Sequence, residues 1–291
     1  MTTHESSNES THGSATPGAP QDSGASHKPG APSPVATLPN LRELGGWRAG
    51  DKIVRPGVLY RSTDFSSMAS ADLASFEKLG VRTIYDLRSE VERTALPDPT
   101  LPDVTDVHLD VLADAGLTIP GNIGQFLSDP KTVAMASQEL AGGKAQELIG
   151  GTYQKLVSLP SALGSYQAFY RGLLGERPRP SLFHCTTGKD RTGWAAASFL
   201  TLMGVGKDDV YHDYLLTNDR LVPALKPVFD DFAAAGGDPK LLLPVLGVDA
   251  TYLDAAFTEV DAKFGGIEGY FADGLGVDEA AQQRLRDLYL V

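Results

Sequence analysis

Cys185 and Arg191, six positions apart, form the pair of residues best suited to catalysis in this sequence. They lie in the segment HCTTGKDRTG, residues 184–193, between a predicted strand and a predicted helix. A cysteine followed six residues later by an arginine is a weak signal alone. Here the pair lies between a strand and a helix, and the same segment contains Gly188, Thr192 and Gly193. This combination makes the segment a strong signal for a catalytic loop.

The segment has the composition of a phosphate-binding loop. A loop that ends at a helix N-terminus offers an anion a set of backbone N–H groups and the positive end of the helix dipole. Gly188 and Gly193 let the backbone curl where a Cβ would intrude. Arg191 can bind two phosphate oxygens, more strongly as charge builds up in the transition state. The same positive field favours a thiolate on Cys185, placed for in-line attack.

The other loop residues have predicted supporting roles. We expect Thr192 to donate its hydroxyl to the sulfur of Cys185, and His184 to be buried and hydrogen-bonded so that it orders the loop. Lys189 adds a positive charge at the rim, which favours substrates with more than one phosphate, although pairing with a neighbouring acid fits nearly as well. The loop residues predicted to bind substrate are His184, Thr186, Thr187, Gly188, Lys189, Thr192 and Gly193.

A general acid must protonate the leaving oxygen and later activate water. Asp190, inside the loop, is the first candidate, with structural pairing to Lys189 or Arg191 as the alternative. Asp114, on the loop after a predicted strand, is the rival acid. Asp86 ends another predicted strand, where it would either orient Arg191 or cap a turn.

The elements that must position these residues alternate between strands and helices, which predicts an α/β domain with a central, mostly parallel sheet. Short strands are predicted at residues 57–61, 81–87, 104–110 and 181–184, the last of which leads into the loop. Helices are predicted at residues 70–79, within 132–174, and at 194–203, 207–219, 222–235, 249–264 and 278–290, so that the C-terminal half is helical.

Bulk composition excludes several classes of protein. The net charge of −12 argues against nucleic-acid or anionic-membrane binding, because both need a basic face. A single cysteine excludes an intramolecular disulfide and a zinc site with several cysteines. We predict neither a metal ion nor an organic cofactor.

The N-terminal residues 1–37, rich in Ser, Pro and Gly, are predicted to be a disordered tail, because they lack large apolar side chains. Residues 38–291 are predicted to form one domain. The N-terminus lacks the pattern of a secretory signal. The longest apolar run, residues 194–205, is shorter than the roughly 20 residues of a spanning helix. We therefore expect no transmembrane segment and a cytoplasmic location, with signal-independent secretion left open.

The loop HCTTGKDRTG resembles the phosphate loop of the atypical bacterial tyrosine phosphatases, the PtpB-like family. Four further stretches are similar to this family and extend the resemblance over residues 38–291: NLRELGG at 40–46, LYRS at 59–62, YDLRS at 85–89 and YLDAAF at 252–257. The combination Lys-Asp-Arg inside the loop distinguishes this group from ordinary tyrosine phosphatases.

The resemblance implies a fold and an activity. It implies Cys185 as the nucleophile, Arg191 as the phosphate clamp and Asp190 as the general acid and base, since neither tryptophan precedes the Pro-Asp of the usual acid loop. Arg61 and Asp86, in two of the similar stretches, join the predicted substrate-binding residues. The implied substrates are phosphotyrosine proteins or peptides, together with phosphoinositides and sometimes phosphoserine or phosphothreonine, with Lys189 implicated. Helical lid insertions are expected within residues 111–149 and 218–246.

Other functions fit less well. A phosphate-loop NTPase would need glycine where Phe183 stands, and Ser or Thr where Asp190 follows Lys189. A catalytically inactive phosphotyrosine-binding module is the non-enzyme alternative, but such a protein would be expected to lose the nucleophile or the acid. A phosphoinositide phosphatase is the alternative within the same class of enzyme.

Overall fold

The strands of the computed structural model form one main sheet and a separate hairpin. The structure describes Met1 and residues 28–115, 129–175, 177 and 179–291. Its strands are β1 (Arg42–Glu43), β2 (Arg48–Ala49), β3 (Lys52–Ile53), β4 (Leu59–Ser62), β5 (Thr83–Asp86), β6 (Thr105–His108) and β7 (Ser181–His184). The main sheet has the order β1–β4–β7–β5–β6, and only β1 runs antiparallel to its neighbour. The predicted mostly parallel sheet is confirmed.

The middle strand, β7, leads into the phosphate-binding segment. All four of its residues are buried, because strands flank it on both sides and helices cover both faces. In register with its last residue, His184, are Ser62 of β4 and Asp86 of β5. The carboxyl ends of three parallel strands therefore meet where the segment begins, which is the usual place for a ligand site in such sheets.

Helices make up most of the remaining described chain. They are α1 (Leu73–Glu77), α2 (Glu90–Ala95), α3 (Pro130–Leu140), α4 (Lys144–Ser158), α5 (Pro160–Leu173), α6 (Arg191–Met203), α7 (Lys207–Ala224), α8 (Lys226–Ala234), α9 (Leu243–Leu246), α10 (Ala250–Phe264) and α11 (Glu279–Tyr289). The C-terminal part of the chain is helical, as predicted. Two details differ from prediction: α2 was not expected, and α7 continues past residue 219 to Ala224.

The N-terminal boundary was predicted at residue 38. Most of the predicted tail, residues 2–27, lies outside the described residues. Packing begins before Leu38, because Val35 is fully buried in an apolar cluster that also contains Leu38. Arg220 of α7 donates a hydrogen bond of 2.8 Å to the carbonyl oxygen of Ala31. Contacts with the rest of the domain therefore extend to residues before Leu38, and the boundary of the disordered tail stays a prediction.

The region Pro239–Phe264 is long and apolar enough, by length and composition alone, to cross a membrane. This region is not one continuous helix. It is interrupted between α9 and α10, where the side chain of Asp249 caps the start of α10. Tyr252, Leu253 and Ala256 of α10 are buried in the main hydrophobic core. In its most apolar window 39% of this region is buried inside the protein, and α10 packs one face into the core.

A third apolar cluster joins the two regions predicted to be lid insertions. Val133 of α3, Phe232 of α8 and Leu246 of α9 are buried together there, apart from the main core. We refer to α3, α8 and α9 as the helical cap. Residues 116–128 of the first predicted insertion lie outside the described residues. The packing shows that the two insertions, about a hundred residues apart in sequence, form one structural unit.

Candidate active site

The phosphate loop, residues 185–190, joins β7 to the N-terminus of α6. Cys185 is 1% exposed at the start of this loop, and Arg191 is the first residue of α6. Gly188 has a φ of +67°, and a Cβ there would lie 2.3 Å from the carbonyl oxygen of Ser62. Only glycine fits this position, which explains one of the two predicted glycines.

Three side chains from the N-terminal part of the domain support the phosphate loop: two bond to its backbone, and the third holds one of those two in place. Asn40 donates from Nδ2 to the carbonyl oxygens of Thr187 and Gly188, at 3.0 and 3.1 Å. Arg61 donates from Nη2 to the same carbonyl of Gly188, at 2.8 Å. Arg42 holds Asn40 in place by donating to its side-chain oxygen at 2.6 Å.

A buried carboxylate, Asp213 of α7, orients the two arginines. Its Oδ1 accepts from Arg42 Nε at 2.9 Å and its Oδ2 from Arg61 Nη1 at 2.6 Å. Burial, together with the charge of Arg61, lowers the pKa of Arg42 to about 10. Arg61 was predicted to bind substrate, and this role is corrected. Its side chain is fully buried, with its guanidinium bonded to Asp213 and the loop backbone.

Glu92 of α2 fixes the guanidinium of Arg191. Its two carboxylate oxygens accept from Nη1 and Nη2 of Arg191 at 2.6 and 2.7 Å, which is a bidentate pair. The hydroxyl of Thr186 donates to Glu92 at 2.6 Å. Burial would raise the pKa of Glu92, but the hydrogen bonds and charge of Arg191 outweigh burial and lower it to about 2. Glu92 thus ties the loop to its arginine.

Two roles were considered for Asp86, and the structure gives the first of them, the orientation of Arg191, to Glu92. Asp86 accepts from Arg88 at 2.9 and 2.8 Å and from Arg93 at 3.1 Å. Glu92 was missed by the sequence reasoning, although a signal was present. The pattern Ser89-Glu90-Val91-Glu92 is a capping box directly after a strand, and Ser89 and Glu92 bond reciprocally in the structure.

Asp190, the predicted acid, lies between a lysine and a tyrosine. Lys189 Nζ is 2.8 Å from its Oδ1 and 2.7 Å from its Oδ2. The hydroxyl of Tyr153 donates to Oδ1 at 3.0 Å. Lys189 is 5% exposed and ion-paired, which matches the alternative of pairing with a neighbouring acid rather than a free charge at the rim. The carboxylate of Asp190 is about a quarter exposed and lies five residues from Cys185 in the same loop.

The rival acid, Asp114, has a structural partner. Its Oδ2 accepts from the backbone N–H of Ser161 at 3.0 Å, in the first turn of α5. The Ser161 hydroxyl bonds to the other oxygen, and these hydrogen bonds lower the pKa of Asp114. Asp114 therefore caps a helix, and among the described contacts none joins it to the phosphate loop.

His184 and Thr192 are both buried beside the nucleophile. His184 is completely buried, and its ring meets that of Phe65 edge-on at 4.9 Å. Burial lowers the pKa of His184 to about 4, so the imidazole is neutral at pH 7. Nδ1 lies 3.2 Å from the carbonyl oxygen of Cys185, in agreement with the predicted ordering role. The hydroxyl of Thr192 has no hydrogen-bond partner within the described residues, and its part in helping the sulfur leave in the second step stays a prediction.

A cluster next to this histidine has the composition of a metal site. Asp86, Asp98 and His184 each bring one ligand atom to within 4.8 Å of the others. Arg88 donates through Nη2 to both Asp86, at 2.8 Å, and Asp98. A guanidinium therefore already fills the place of a cation between the two carboxylates, and the cluster is an ion-pair network that braces the carboxyl end of β5.

Sequence comparisons identify relatives over most of the chain. The family model of the tyrosine phosphatase family matches residues 33–291. A candidate tyrosine-protein phosphatase of Cupriavidus necator is 31% identical over 261 residues, covering 87% of this chain and 86% of that protein. The triple specificity protein phosphatase PtpB of Mycobacterium tuberculosis is 30% identical over 286 residues, covering 86% of this chain and 99% of that protein.

Structural comparison adds little. A crystal structure of TpbA from P. aeruginosa overlaps with 72% of this chain and 96% of that chain at 16% identity, with a TM-score of 0.28 that is too low to support an inference. The family match, in contrast, includes the phosphate loop and nearly all the described residues. The resemblance predicted from the sequence is confirmed: this chain belongs to the tyrosine phosphatase family.

Proposed function

We propose that this chain removes phosphate from phosphotyrosine in proteins and peptides through a phosphocysteine formed on Cys185. The observation that carries the proposal is the position of Cys185 at the start of a loop that ends at the N-terminus of α6, where Glu92 holds Arg191 in a bidentate pair. Backbone N–H groups at a helix start and a fixed guanidinium together match the charge and shape of a phosphate dianion.

The reaction proceeds in two displacements. The thiolate of Cys185 attacks phosphorus, the bond from phosphorus to the tyrosine oxygen breaks, and Asp190 gives its proton to that oxygen. Water then attacks the phosphocysteine while Asp190 takes up a proton, and the thiolate leaves with inorganic phosphate as the product. Arg191 binds the oxygens on phosphorus in both steps, and the hydroxyl of Thr192 is available for the departing sulfur once it turns toward Cys185.

Lys189 has a proposed part in starting this cycle. In the structure Lys189 contacts both oxygens of Asp190. A bound phosphate offers Lys189 a competing dianion, and the oxygen that Lys189 gives up is then free to carry the proton. A second phosphate on a phosphoinositide head group would compete in the same way. This arrangement supports phosphoinositides, phosphoserine and phosphothreonine as further substrates, and the PtpB relative is named for triple specificity.

The cellular location is also a proposal. We propose a cytoplasmic enzyme, on the sequence features given above. Cytoplasmic phosphoproteins would then be its partners.

The test is phosphate release without metal ions, in the presence of a chelator. Wild-type protein is assayed beside Cys185→Ser, Asp190→Asn and Asp114→Asn on a phosphotyrosine peptide, a phosphothreonine peptide and short-chain phosphoinositides. We expect Cys185→Ser to abolish turnover and Asp190→Asn to lower kcat/KM on the phosphotyrosine peptide by about a hundredfold. Asp114→Asn should leave turnover near that of the wild type, because it removes only a helix cap.

Each contrary outcome has a distinct meaning. Normal rates for Asp190→Asn with slow turnover by Asp114→Asn would move the acid role to Asp114. Faster turnover of phosphoinositides than of the phosphotyrosine peptide would favour the lipid phosphatase. No turnover by the wild type on any substrate would contradict the proposed enzyme and favour a binding module.

A further inference from the structure

Two buried tyrosines from different helices form a chain of hydrogen bonds that leads to the carboxylate of Asp190. Tyr153 of α4 donates from its hydroxyl to Asp190 Oδ1 at 3.0 Å. Tyr214 of α7 donates to the hydroxyl of Tyr153 at 2.6 Å. Both tyrosine side chains are completely buried, and their rings meet edge-on with centroids 6.1 Å apart. The hydrogen bonds therefore form a chain that ends on Asp190.

The chain of hydrogen bonds has a fixed direction. A phenol has one hydrogen to donate, so when Tyr214 donates to Tyr153, the hydrogen of Tyr153 is left for Asp190. Burial raises the pKa of both tyrosines well above the ordinary value, so both remain protonated donors at any working pH. A donor that itself accepts a hydrogen bond is polarised and binds its acceptor more strongly.

The contacts distinguish the two oxygens of Asp190. Oδ1 accepts from Tyr153 and lies 2.8 Å from Lys189, whereas Lys189 is the one described partner of Oδ2. When Lys189 turns to a substrate phosphate, Oδ1 keeps the bond from Tyr153 and Oδ2 becomes free. A carboxylic acid held by one oxygen in this way presents its proton on the other, in a fixed direction.

The helices that carry these tyrosines continue directly into the helical cap. The helix α4 follows α3 after the short turn Ala141–Gly143, and α7 is followed by α8 with one residue between them. Both tyrosines are therefore on helices that adjoin the cap in sequence.

We propose that Tyr153 and Tyr214 are positioning residues that hold Asp190 Oδ1 and thereby aim its proton at the leaving oxygen. This inference rests on the proposed role of Asp190 as the general acid. If the two tyrosines aim the proton, their loss should lower kcat/KM more for a substrate whose leaving group needs that proton. Phenyl phosphate has a poor leaving group that needs the proton, whereas p-nitrophenolate leaves without full protonation.

The test compares kcat/KM for phenyl phosphate and p-nitrophenyl phosphate in Tyr153→Phe and Tyr214→Phe. Each substitution removes one hydroxyl and keeps the ring. We expect Tyr153→Phe to lower kcat/KM about tenfold for phenyl phosphate and less than about twofold for p-nitrophenyl phosphate, and Tyr214→Phe to show the same pattern at roughly threefold. In an Asp190→Asn background, Tyr153→Phe should have no further effect.

The matched control is Tyr170→Phe. Tyr170 is also completely buried, and its hydroxyl bonds to the carbonyl of Ala195 and to Ser198, away from Asp190. This variant should affect the two substrates equally. If Tyr153→Phe lowered kcat/KM equally for both substrates, while Asp190→Asn still lowered it more for phenyl phosphate, this inference would be wrong and the proposed role of Asp190 would stand. If Asp190→Asn itself showed no selectivity, the proposed acid and this inference would both be wrong.

Discussion

Arg191 is held by the carboxylate of Glu92, which accepts from both Nη1 and Nη2. The pair with Glu92 is buried, and removing either partner would leave an uncompensated charge in a place that water does not reach. The pair contributes less net stability than its short distances suggest, because both ions lose their hydration. Its larger effect is geometric, since a guanidinium fixed by two hydrogen bonds has few rotamers left to lose when phosphate binds.

Glu92→Gln should make stability less dependent on pH. The pKa of Glu92 is lowered from 4.5 to about 2 in the folded protein, so its ionised form stabilises the fold. That contribution is complete above pH 4.5 and is lost as the pH falls toward 2. We expect the variant to be less stable than the wild type by about 3 kcal/mol at pH 7, with the difference shrinking below pH 4.5.

Urea unfolding followed by tryptophan fluorescence at pH 7, 5 and 3 measures this difference. The control is Glu90→Gln, an exposed acid two positions away in the same helix, which should differ little from the wild type at every pH. A Glu92→Gln difference that stayed constant from pH 7 to pH 3 would contradict the assigned ion pair.

At the level of elements, the phosphate loop depends on one glycine conformation. Gly188→Ala would place a Cβ 2.3 Å from the carbonyl oxygen of Ser62 while φ stays at +67°, so the loop backbone has to move. We expect kcat/KM to fall by at least about a hundredfold, because the N–H groups would no longer converge on phosphate. Gly204→Ala, at φ +86° with no atom within 4 Å, should cost about 1 kcal/mol and leave kcat/KM unchanged. Equal kinetic losses in the two variants would contradict the role of Gly188.

Elements with strong local patterns were predictable from the sequence. The strand leading into Cys185 and the apolar helix after it were predicted because each has a continuous run of buried side chains. The helix α2 was not predicted, since six residues are too short to show a periodic pattern. Its capping box was the available signal, and it would have placed Glu92 near the end of β5.

The partners inside the site were less predictable. Tyr153 and Tyr214 lie on amphipathic helices, where a tyrosine normally indicates core packing. Their hydroxyls meet because α4 and α7 pack against the start of α6, which one sequence does not reveal. Arg61 was assigned to substrate from its place in a stretch similar to the family, and its buried partner Asp213, 152 positions away, could not be inferred from one sequence.

At the level of the whole molecule, the helical cap has its own small core beside the main one. Phe232 is completely buried in that cluster. We expect Phe232→Ala to weaken the cap by about 3 to 5 kcal/mol, because it leaves a cavity in a cluster with few other contacts. Hydrogen exchange should become faster in α3, α8 and α9 and stay unchanged in α6.

Leu243→Ala is the matched control for this experiment. Leu243 is also an apolar residue of the cap, but it is 46% exposed, so its removal opens no cavity. Exchange in the cap should then resemble that of the wild type. Faster exchange in α6 as well as in the cap of Phe232→Ala would contradict a separately packed unit.

The bond between Arg42 and Asp213 joins positions 171 residues apart, so during synthesis it can form only after Asp213 has been added to the chain. A nascent chain that has emerged as far as α6 already contains every proposed catalytic residue. It still lacks Asp213, the group that orients Arg42 and Arg61 beneath the phosphate loop. The contacts that support the loop can form only after α7 has left the ribosome. We therefore expect the growing chain not to dephosphorylate phosphoproteins before that point.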